Sequence, residues 1–491
     1  MQKTNSIYAS ELAQKIDGKL YGPDKLLSGH YTYLNRAEAG DIVIRHWIND
    51  KGIKIAKDKE ISCVITQNPH EDAVNVAKEL DFCLIVTDYI EYATAYALNQ
   101  TVKKYANDSI KIATTGTNGK STTTHLLYTI FSDLGFKTYT NTDAESEGNT
   151  LIDPKVASEL PEFYNENNGL DVITLEVSEI QGWDDRIMEN HAYEMISALD
   201  ADVTIITNAS MDHINLLRSF DHLLEEISGA ARAINYVDKS SLLILNYEDK
   251  NIAKMSEIVE NNSNVDVMYF GNYDDDDRLL SVSYKPKVGI YVADELYIKY
   301  DDLPFTSMHF IQDIMAAICV CVYYNLDHKK VVKSLKNYKP LARRFIKLRE
   351  NPVIIDDFAH NPSGIKLTIE NGYDLGENVY IVDAIRGSRG DDINREIAEA
   401  LAETLKNRSN YTLYITSSID VVDHLNWVEP SEFNIFEETL NREGIKYTFI
   451  EKLEDTLIKV VDEAGDDDVI LLLGAQGMDP ASGILTKHDL I

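Results

Sequence analysis

Short apolar runs alternate along the chain with longer stretches in which apolar residues recur at helical spacing. In the first half, the runs typical of buried strands are residues 62–67, 82–88, 110–114, 171–178 and 201–210. After residue 120, Leu126, Ile130 and Leu134 fall on one helical face, and Gly135 marks the end of that helix. Strands that alternate with helices in this way predict parallel sheets joined by crossover helices.

The last third of the chain repeats the alternation. Its strand-like runs are residues 353–358, 379–384, 412–417, 446–451 and 468–474. This pattern is typical of an open α/β domain of the dinucleotide-binding type. We therefore predict an α/β protein with three domains: an N-terminal α/β domain at 1–106, a central phosphate-loop domain with a parallel sheet at 107–343, and a C-terminal Rossmann-like domain at 344–491.

Composition and charge exclude several classes of function. The formal net charge of −34 argues against sequence-independent binding of DNA or RNA, which requires a basic surface. No run of about 18 apolar residues is present, so we expect no membrane span. Residues 1–16 lack the apolar core of a signal peptide. Because the four cysteines lie in apolar stretches and form no CxxC pair, we expect a cytoplasmic protein with reduced, buried thiols.

A glycine-containing turn at residues 114–124, TTGTNGKSTTT, carries the clearest chemistry. A strand-like run precedes it and a helical pattern follows, so backbone N–H groups and the helix N-terminus can face a phosphate. The motif is the shorter GxxGK[ST] form of a phosphate loop. We predict that it binds ATP, with Lys120 at the β- and γ-phosphates and Ser121 at Mg²⁺. The predicted nucleotide-binding residues of the loop are Gly116, Thr117, Asn118, Gly119, Lys120, Ser121 and Thr122.

Further motifs follow the loop along the chain. They read LEVSEIQGW at 175–183, TNASMDHIN at 207–215, LILNYED at 243–249, ARRFIKL at 342–348 and IIDDFAHNPSG at 354–364. Together with the loop, this series resembles the Mur ligases, ATP-dependent ligases that extend the peptide of cell-wall precursors. Residues 386–393, RGSRGDDI, also resemble the last domain of cyanophycin synthetases. Residues 27–44 are weakly similar to the domain that holds UDP in wall-peptide ligases.

The resemblance implies acyl-phosphate chemistry. A substrate carboxylate attacks the γ-phosphate of ATP, and an incoming amine then displaces the phosphate, so catalysis depends on positioning and on cations. Lys120, Glu176 and His213 would be the catalytic residues. Glu176 would bind Mg²⁺ together with Ser121, and His213 would support a second metal ion. The structural alternatives are a surface acid at Glu176 and a buried structural histidine at His213.

The same resemblance assigns other residues to ligands. Outside the loop, the nucleotide would be contacted by Asn208, His309, Arg344, Asp357 and His360. Arg386 and Arg389 would hold a substrate carboxylate or phosphate. Structural alternatives are open here as well: a surface or loop charge for each arginine, strand capping for Asp357 and turn formation for His360.

The chain departs from the family pattern in several places. Many wall-peptide ligases carry a carbamylated lysine that helps to hold a second metal, but the helix predicted at 221–234 has no lysine, and its nearest cation is Arg232. Glu179 replaces the second serine of EVSS, and Phe310 and Asp313 replace the two asparagines of HNxxNxxAA. The DNPR motif of diaminopimelate-adding enzymes is absent. We interpret the chain as a divergent member similar to the archaeal pseudomurein peptide ligases.

The predicted partners are a UDP-linked peptide precursor of murein or pseudomurein and a free amino acid. About 100 residues precede the phosphate loop, which favours the UDP-peptide class over folate-type ligases that begin at the loop. Two alternatives stay open. One is a cyanophycin- or folylpolyglutamate-type amide ligase, and the other is a nucleotide-hydrolysing switch without ligase activity.

Overall fold

The computed structural model describes residues 6–142, 154–183, 186–210, 219–235, 239–273, 280–305, 307–424 and 426–491. The chain forms two compact units. The first comprises Met1–Ala209 and Phe220–Tyr338, and the second comprises Ser210–Ser219 and Lys339–Ile491. In the described residues, no helix is both long enough and apolar enough to cross a membrane.

The N-terminal part of the first unit is built around a mostly parallel sheet. Its strands are β1 Ile7–Tyr8, β2 Gly18–Tyr21, β3 Leu26–Leu27, β4 Tyr31–Thr32, β5 Ile42–Ile48, β6 Cys63–Pro69 and β7 Leu84–Thr87. Its helices are α1 Ala9–Lys15, α2 Asp50–Asp58, α3 Ala73–Glu79 and α4 Ile90–Tyr105. The sheet order is β2-β7-β6-β5-β4, with β2 antiparallel to β7 and the other pairings parallel. Alternate residues enter two cores: Ile44 and Ile65 face one, and Val43 and Val64 face the other.

The cysteines are buried in these cores and in the central part of the unit. Cys63, Cys83, Cys319 and Cys321 are all free and buried, which confirms the prediction of buried thiols. The Sγ atoms of Cys63 and Cys83 lie 3.3 Å apart across neighbouring strands. A disulfide bond would bring them to about 2.05 Å, so the two residues are not bonded to each other in this structure.

The central part of the first unit contains the largest sheet. Its strands are β8 Ile110–Thr115, β9 Thr138–Thr140, β10 Val172–Glu176, β11 Gly182–Trp183, β12 Arg186–Ile187, β13 Val203–Ile206, β14 Ser241–Asn246, β15 Val265–Asn272, β16 Leu280–Lys285, β17 Gly289–Val292 and β18 Glu295–Lys299. Its helices are α5 Lys120–Asp133, α6 Lys155–Asn167, α7 His191–Leu199, α8 Phe220–Asn235, α9 Lys250–Ala253, α10 Met308–Tyr323 and α11 His328–Lys336. The sheet order is β18-β17-β16-β15-β14-β13-β8-β10-β9, parallel from β9 to β16 and antiparallel at β17 and β18.

Strand β8 occupies the point at which the strand order of this sheet reverses, between β10 and β13. In register, Glu176 of β10 lies opposite Thr114, and Ile206 of β13 lies opposite Thr115. The segments that follow these three strands therefore leave the sheet at the same edge. In open α/β sheets, ligands bind at such a switch point, outside the carboxyl ends of the strands.

The second unit is an open α/β domain. Its strands are β19 Ile346–Glu350, β20 Val353–Asp357, β21 Val379–Ala384, β22 Tyr411–Thr416, β23 Thr448–Phe449 and β24 Val469–Leu473. Its helices are α12 Pro362–Leu375, α13 Asp391–Leu405, α14 Pro430–Glu443, α15 Leu453–Glu463 and α16 Ala481–Lys487. The sheet order is β19-β20-β24-β21-β22-β23, with β19 antiparallel to β20 and the other pairings parallel. One core lies on each face of the sheet.

The predicted α/β fold class is confirmed, and the strand-like runs correspond to strands. The run at 446–451 is shorter than expected, because only Thr448–Phe449 pairs with β22. The expected boundary after residue 106 falls between α4 and β8, inside one compact unit. The three-domain division stays a prediction.

A buried ion pair joins the N-terminal and central parts of the first unit. Arg186 in β12 donates from Nη1 to Glu91 Oε1 at 2.8 Å and from Nη2 to Glu91 Oε2 at 2.6 Å. Its Nη2 also donates to Gln67 Oε1 at 2.7 Å. The Glu91 side chain is 2% exposed and the Arg186 side chain is 23% exposed. In this bidentate geometry, the two opposite charges neutralise each other at a place to which bulk water has little access.

Glu91→Ala should lower the free energy of unfolding by about 3 kcal/mol, because it removes the buried carboxylate that pairs with the Arg186 guanidinium in a bidentate geometry. Chemical denaturation measures the change. Glu11→Ala is the matched control, since Glu11 is 56% exposed in its pair with Lys15. Loss of an exposed pair should cost less than about 0.5 kcal/mol. Equal losses in the two variants would contradict a stabilising role for the buried pair.

Candidate active site

The turn between β8 and α5 has the geometry of a phosphate loop. Strand β8 ends at Thr115 and α5 begins at Lys120. Gly116 has a φ of +117° and Gly119 a φ of +86°, a region that side chains rarely adopt. A Cβ atom on Gly116 would lie 2.3 Å from Thr207 Oγ1, and one on Gly119 would lie 2.2 Å from Asp313 Oδ1. The strand–loop–helix arrangement predicted from the sequence is therefore present, and both glycines are sterically required.

The segment after the neighbouring strand β13 holds this loop in place through hydrogen bonds. The Asn208 carbonyl accepts from Thr117 N at 2.9 Å, and its Oδ1 accepts from Asn118 N at 3.0 Å. Asn208 Nδ2 and Thr207 Oγ1 both donate to the Asn118 carbonyl, at 2.9 and 2.6 Å. Asn208 thus holds the loop in shape through its backbone and side chain, and its predicted contact with the nucleotide stays a prediction.

The amino group of Lys120 lies against the loop and a buried acid. Its Nζ donates to the carbonyl oxygens of Gly116 at 2.6 Å and Thr117 at 2.9 Å. It also donates to Glu179 Oε2 at 2.9 Å. The Lys120 side chain is 15% exposed, whereas that of Glu179 is 1% exposed. The residue that replaces the second serine of EVSS is therefore the ionic partner of the loop lysine.

The oxygen donors proposed for Mg²⁺ lie on neighbouring elements. Ser121 and Thr122 are buried in the first turn of α5. Glu176 is the buried last residue of β10, and its backbone N–H and carbonyl are held by the Asn141 side chain at 2.8 and 2.9 Å. A hydroxyl and a carboxylate are the hard oxygen ligands that Mg²⁺ prefers. Ser121 and Glu176 therefore suit the ion chemically, while His213 lies outside the described residues.

Helix α10 packs against α5, and its Asp313 side chain meets the loop at Gly119. Burial lowers the pKa of His309 to about 4, so this imidazole is neutral near pH 7. Asp313 is buried where it meets Gly119, and burial raises the pKa of its carboxyl well above the usual range. Asp313, which replaces an asparagine of the family pattern, thus packs directly against the loop at Gly119. The role of His309 in nucleotide binding stays a prediction.

Two adjacent arginines in the second unit have different surroundings. Arg343 is buried and donates to Asp356 Oδ1 at 3.1 Å, to the carbonyls of Gly474 at 2.6 Å and Ala475 at 3.0 Å, and to Asp479. Arg344 is half-buried, and its guanidinium carbon lies 4.9 Å from the centroid of the Phe358 ring. Arg343 is therefore structural, which leaves Arg344 as the arginine predicted to contact a nucleotide.

The DFAHNP segment begins at Asp357, the last residue of β20. Asp357 is buried, its Oδ2 accepts from Thr368 Oγ1 at 2.5 Å, and its Oδ1 accepts from Phe345 N at 3.3 Å. Burial raises the pKa of this carboxyl. His360 donates from Nδ1 to the Phe358 carbonyl at 2.8 Å, and Asn361 caps α12 by accepting from Gly364 N. Both Asp357 and His360 thus have local structural contacts, and their ligand roles stay predictions.

The two arginines predicted to bind substrate lie on one loop after β21. Three successive backbone N–H groups of this loop, from Ser388, Arg389 and Gly390, donate to the carboxylate of Glu432 at 3.0, 2.8 and 2.6 Å. Glu432 is buried near the start of α14 and also accepts from Glu429 N at 2.9 Å. The backbone of the loop is therefore fixed by an internal anion.

Sequence reasoning missed three residues that shape these loops. Glu179 and Asp313 were visible only as departures from the family pattern, and Glu432 gave no signal, because its capping motif is common in helices of any function. The structure adds the reason for each: Glu179 pairs with Lys120, Asp313 backs Gly119, and Glu432 binds the loop that carries Arg386 and Arg389.

The fold and this site define a phosphate-loop α/β protein with a second, Rossmann-like unit. Residues 114–321 match the Mur ligase middle domain, and residues 343–476 match the Mur ligase glutamate ligase domain. The chain therefore belongs to the Mur ligase superfamily, whose members are ATP-dependent ligases that form amide bonds. The predicted family is confirmed.

Two curated relatives are UDP-N-acetylmuramate–L-alanine ligases. The chain is 24% identical to the enzyme of Ligilactobacillus salivarius over 443 residues, which cover 87% of this chain and 85% of that one. It is 25% identical to the enzyme of Clostridium acetobutylicum over 289 residues. That alignment covers 56% of this chain and 58% of the relative.

Solved structures share the whole fold. The crystal structure of MurF from Acinetobacter baumannii matches with a TM-score of 0.68 and 15% identity, covering 99% of both chains. A pseudomurein peptide ligase type C from Methanothermus fervidus matches with a TM-score of 0.54 and 18% identity, covering 91% of this chain and 94% of the other. At these identities the likeness concerns the fold.

Glu432→Ala should release the loop at 386–390, because three backbone N–H groups would lose their shared acceptor. Ser388 and Gly390 are themselves exposed, so their hydrogen bonds to Glu432 are what protects these amides. Without that acceptor, the amides of Ser388, Arg389 and Gly390 should exchange with solvent faster. Hydrogen exchange followed by mass spectrometry measures this. Glu438→Ala, an exposed position on the same helix, is the control. Unchanged protection of the three amides in the Glu432 variant would refute the proposed anchoring.

Proposed function

We propose that this protein is an ATP-dependent ligase that adds an amino acid to a UDP-linked peptide precursor of murein or pseudomurein. The observation that carries the proposal is the position of Lys120 and Glu176. The first begins the helix after a phosphate loop, and the second ends the adjacent parallel strand. A cation and a carboxylate at one sheet edge suit transfer of the γ-phosphate from Mg²⁺-ATP.

The reaction we propose has two steps. A carboxylate oxygen of the precursor attacks the γ-phosphorus of ATP, and ADP leaves with the electrons of the broken P–O bond. The amine of the amino acid then attacks the acyl phosphate, inorganic phosphate leaves, and the amine loses a proton. In both steps negative charge builds up on oxygens, which positioned cations and N–H groups stabilise.

Within this scheme the residues of the central sheet orient the phosphates. The N–H groups of the loop and of the first turn of α5 would bind phosphate oxygens, and Lys120 would neutralise the transferring group. Ser121 and Glu176 would hold Mg²⁺, which supplies positive charge to the phosphates when bound. In the second unit, Arg386 and Arg389 would bind an acidic substrate through charge-assisted hydrogen bonds.

A surface at the carboxyl end of β5 supports the assignment of a nucleotide-linked precursor as the substrate. The ring of Trp47 is 46% exposed, and the Arg45 guanidinium lies 4.8 Å from its centroid. The ring of His70, directly after β6, lies 5.7 Å from that of Trp47. An exposed aromatic face can stack on a base, and an adjacent guanidinium can bind phosphate oxygens. These residues suit a uridine diphosphate group, and they lie where parallel strands present ligand sites.

Release of ADP should depend on the carboxylate substrate, and full turnover should also need the amino acid. Omitting ATP, UDP-peptide or amino acid in turn, with ADP release as the readout, tests this. Lys120→Ala should lower the rate by about 10³-fold or more, since it removes charge stabilisation at the transferring phosphate. Rapid ADP release from ATP and Mg²⁺ alone would favour the nucleotide-hydrolysing switch. Equal use of a peptide without UDP would overturn only the precursor assignment.

Trp47→Ala should raise the KM for the UDP-linked precursor by about tenfold, because one base–aromatic stack contributes about 1–3 kcal/mol. The KM for ATP should not change. Tyr8→Ala is a matched control, since Tyr8 is 54% exposed and lies on a different strand of the same part of the chain. A KM for the precursor that is the same in both variants would place the UDP group elsewhere.

A further inference from the structure

Glu179 is a buried carboxylate whose charge is matched by one cation. Its side chain is 1% exposed, and in the described part of the chain its sole hydrogen-bonding or ionic partner is Lys120, at 2.9 Å. Glu179 lies three residues beyond the end of β10, so its position is set by the same strand that ends in Glu176. A buried acid of this kind is stable as an anion only while a positive charge lies next to it.

The amino group of Lys120 has no proton left to donate to a further acceptor. An ammonium group has three protons to donate, and Lys120 directs them to Gly116 O, Thr117 O and Glu179 Oε2, at 2.6 to 2.9 Å. A nucleotide phosphate that binds Lys120 must therefore compete with at least one of these acceptors. Glu179 is the only charged one of the three, so it is the strongest competitor for the lysine.

If the Lys120 amino group moved away from Glu179 to a phosphate, the buried carboxylate would be left without a counter-charge. Breaking a buried ion pair by taking away one partner is unfavourable, because the remaining charge is neither solvated nor paired. A divalent cation that enters with the nucleotide would restore the balance at Glu179, and carboxylate oxygens are suitable ligands or counter-ions for Mg²⁺. The free nucleotide alone would instead add negative charge beside an uncompensated anion.

We infer that Glu179 is a positioning residue that holds Lys120 on the loop in the absence of nucleotide and makes nucleotide binding depend on a divalent cation. The inference rests on the proposed role of Lys120 in ATP binding. A serine at this position, as in the family pattern EVSS, has no charge to compete for the lysine, so this competition for Lys120 is a property of this chain. Glu179 acts through Lys120 and need not touch the substrate.

The test compares the Kd for ATP in EDTA with the Kd in saturating Mg²⁺, for the wild-type protein, Glu179→Gln and Glu179→Ser. Both variants should bind metal-free ATP at least about tenfold more tightly than the wild type, because no buried anion opposes release of Lys120. In Mg²⁺ the difference should be smaller. Binding of metal-free ATP that is unchanged or weaker in both variants overturns the inference.

Two controls separate this mechanism from a general effect of charge or stability. Glu91→Gln removes an equally buried, ion-paired carboxylate elsewhere in the same unit and should leave both Kd values unchanged. Lys120→Ala should weaken metal-free binding by a larger factor in the Glu179→Gln background than in the wild type, since only there is the lysine released. Equal factors would mean that Glu179 merely repels ATP, and would overturn the inference.

These measurements do not require ligase turnover. If the wild type binds Mg²⁺-ATP but shows no ligase activity, the proposed reaction fails and the inference about Glu179 is still tested. If the wild type does not bind ATP even with Mg²⁺, the nucleotide site itself is wrong. The two failures are therefore distinguishable by binding alone.

Discussion

The parallel register of β8 with its two neighbours is the constraint on which the central site depends. Backbone hydrogen bonds place Glu176 opposite Thr114 and Ile206 opposite Thr115, so the segments after β8, β10 and β13 begin at the same edge of the sheet. A shift of one residue in either pairing would turn the side chains to the other face of the sheet. The phosphate loop, its brace at Asn208 and the carboxylate of Glu176 would then no longer be adjacent.

Close packing holds the loop that follows β8 at this edge in one conformation. Gly116 meets Thr207, and Gly119 meets Asp313, at distances that leave no room for a Cβ atom. Their positive φ angles belong to a region that side chains rarely adopt, so glycine is needed at both turns of the loop. Asn208 fixes the residues between the two glycines through hydrogen bonds from backbone and side chain. The conformation of the loop is therefore held by contacts within the protein.

Buried carboxylates organise loops in both units, with different donors. Glu432 is satisfied by backbone N–H groups, which cannot leave, so the loop that carries Arg386 and Arg389 is fixed. Glu179 is satisfied by a lysine side chain, which can rotate away. The same acidic group thus gives a static anchor in one place and an exchangeable contact in the other, because the mobility of the donor differs.

The sequence by itself determined the fold class, the family and the phosphate loop. Apolar runs of the right length locate the strands, and the glycine–lysine–serine spacing has few uses other than phosphate binding. It also singled out Arg386 and Arg389 as candidates for substrate binding, a role that stays a prediction. The resemblance singled out Arg344, but it said nothing of its neighbour. The structural role of Arg343 is visible only in its bonds to Asp356 and to the carbonyls after β24.

Only the tertiary structure decided which distant side chains pair. Glu179 lies 59 residues from Lys120, and Asn208 lies 90 residues from Asn118, so neither contact follows from local spacing. The short β23 shows the same limit, because β-pairing at a sheet edge depends on the partner strand as much as on the strand's own residues. Local pattern fixes elements and turns, whereas the pairing of charges is fixed by strand order and burial, which arise only when the whole sheet is assembled.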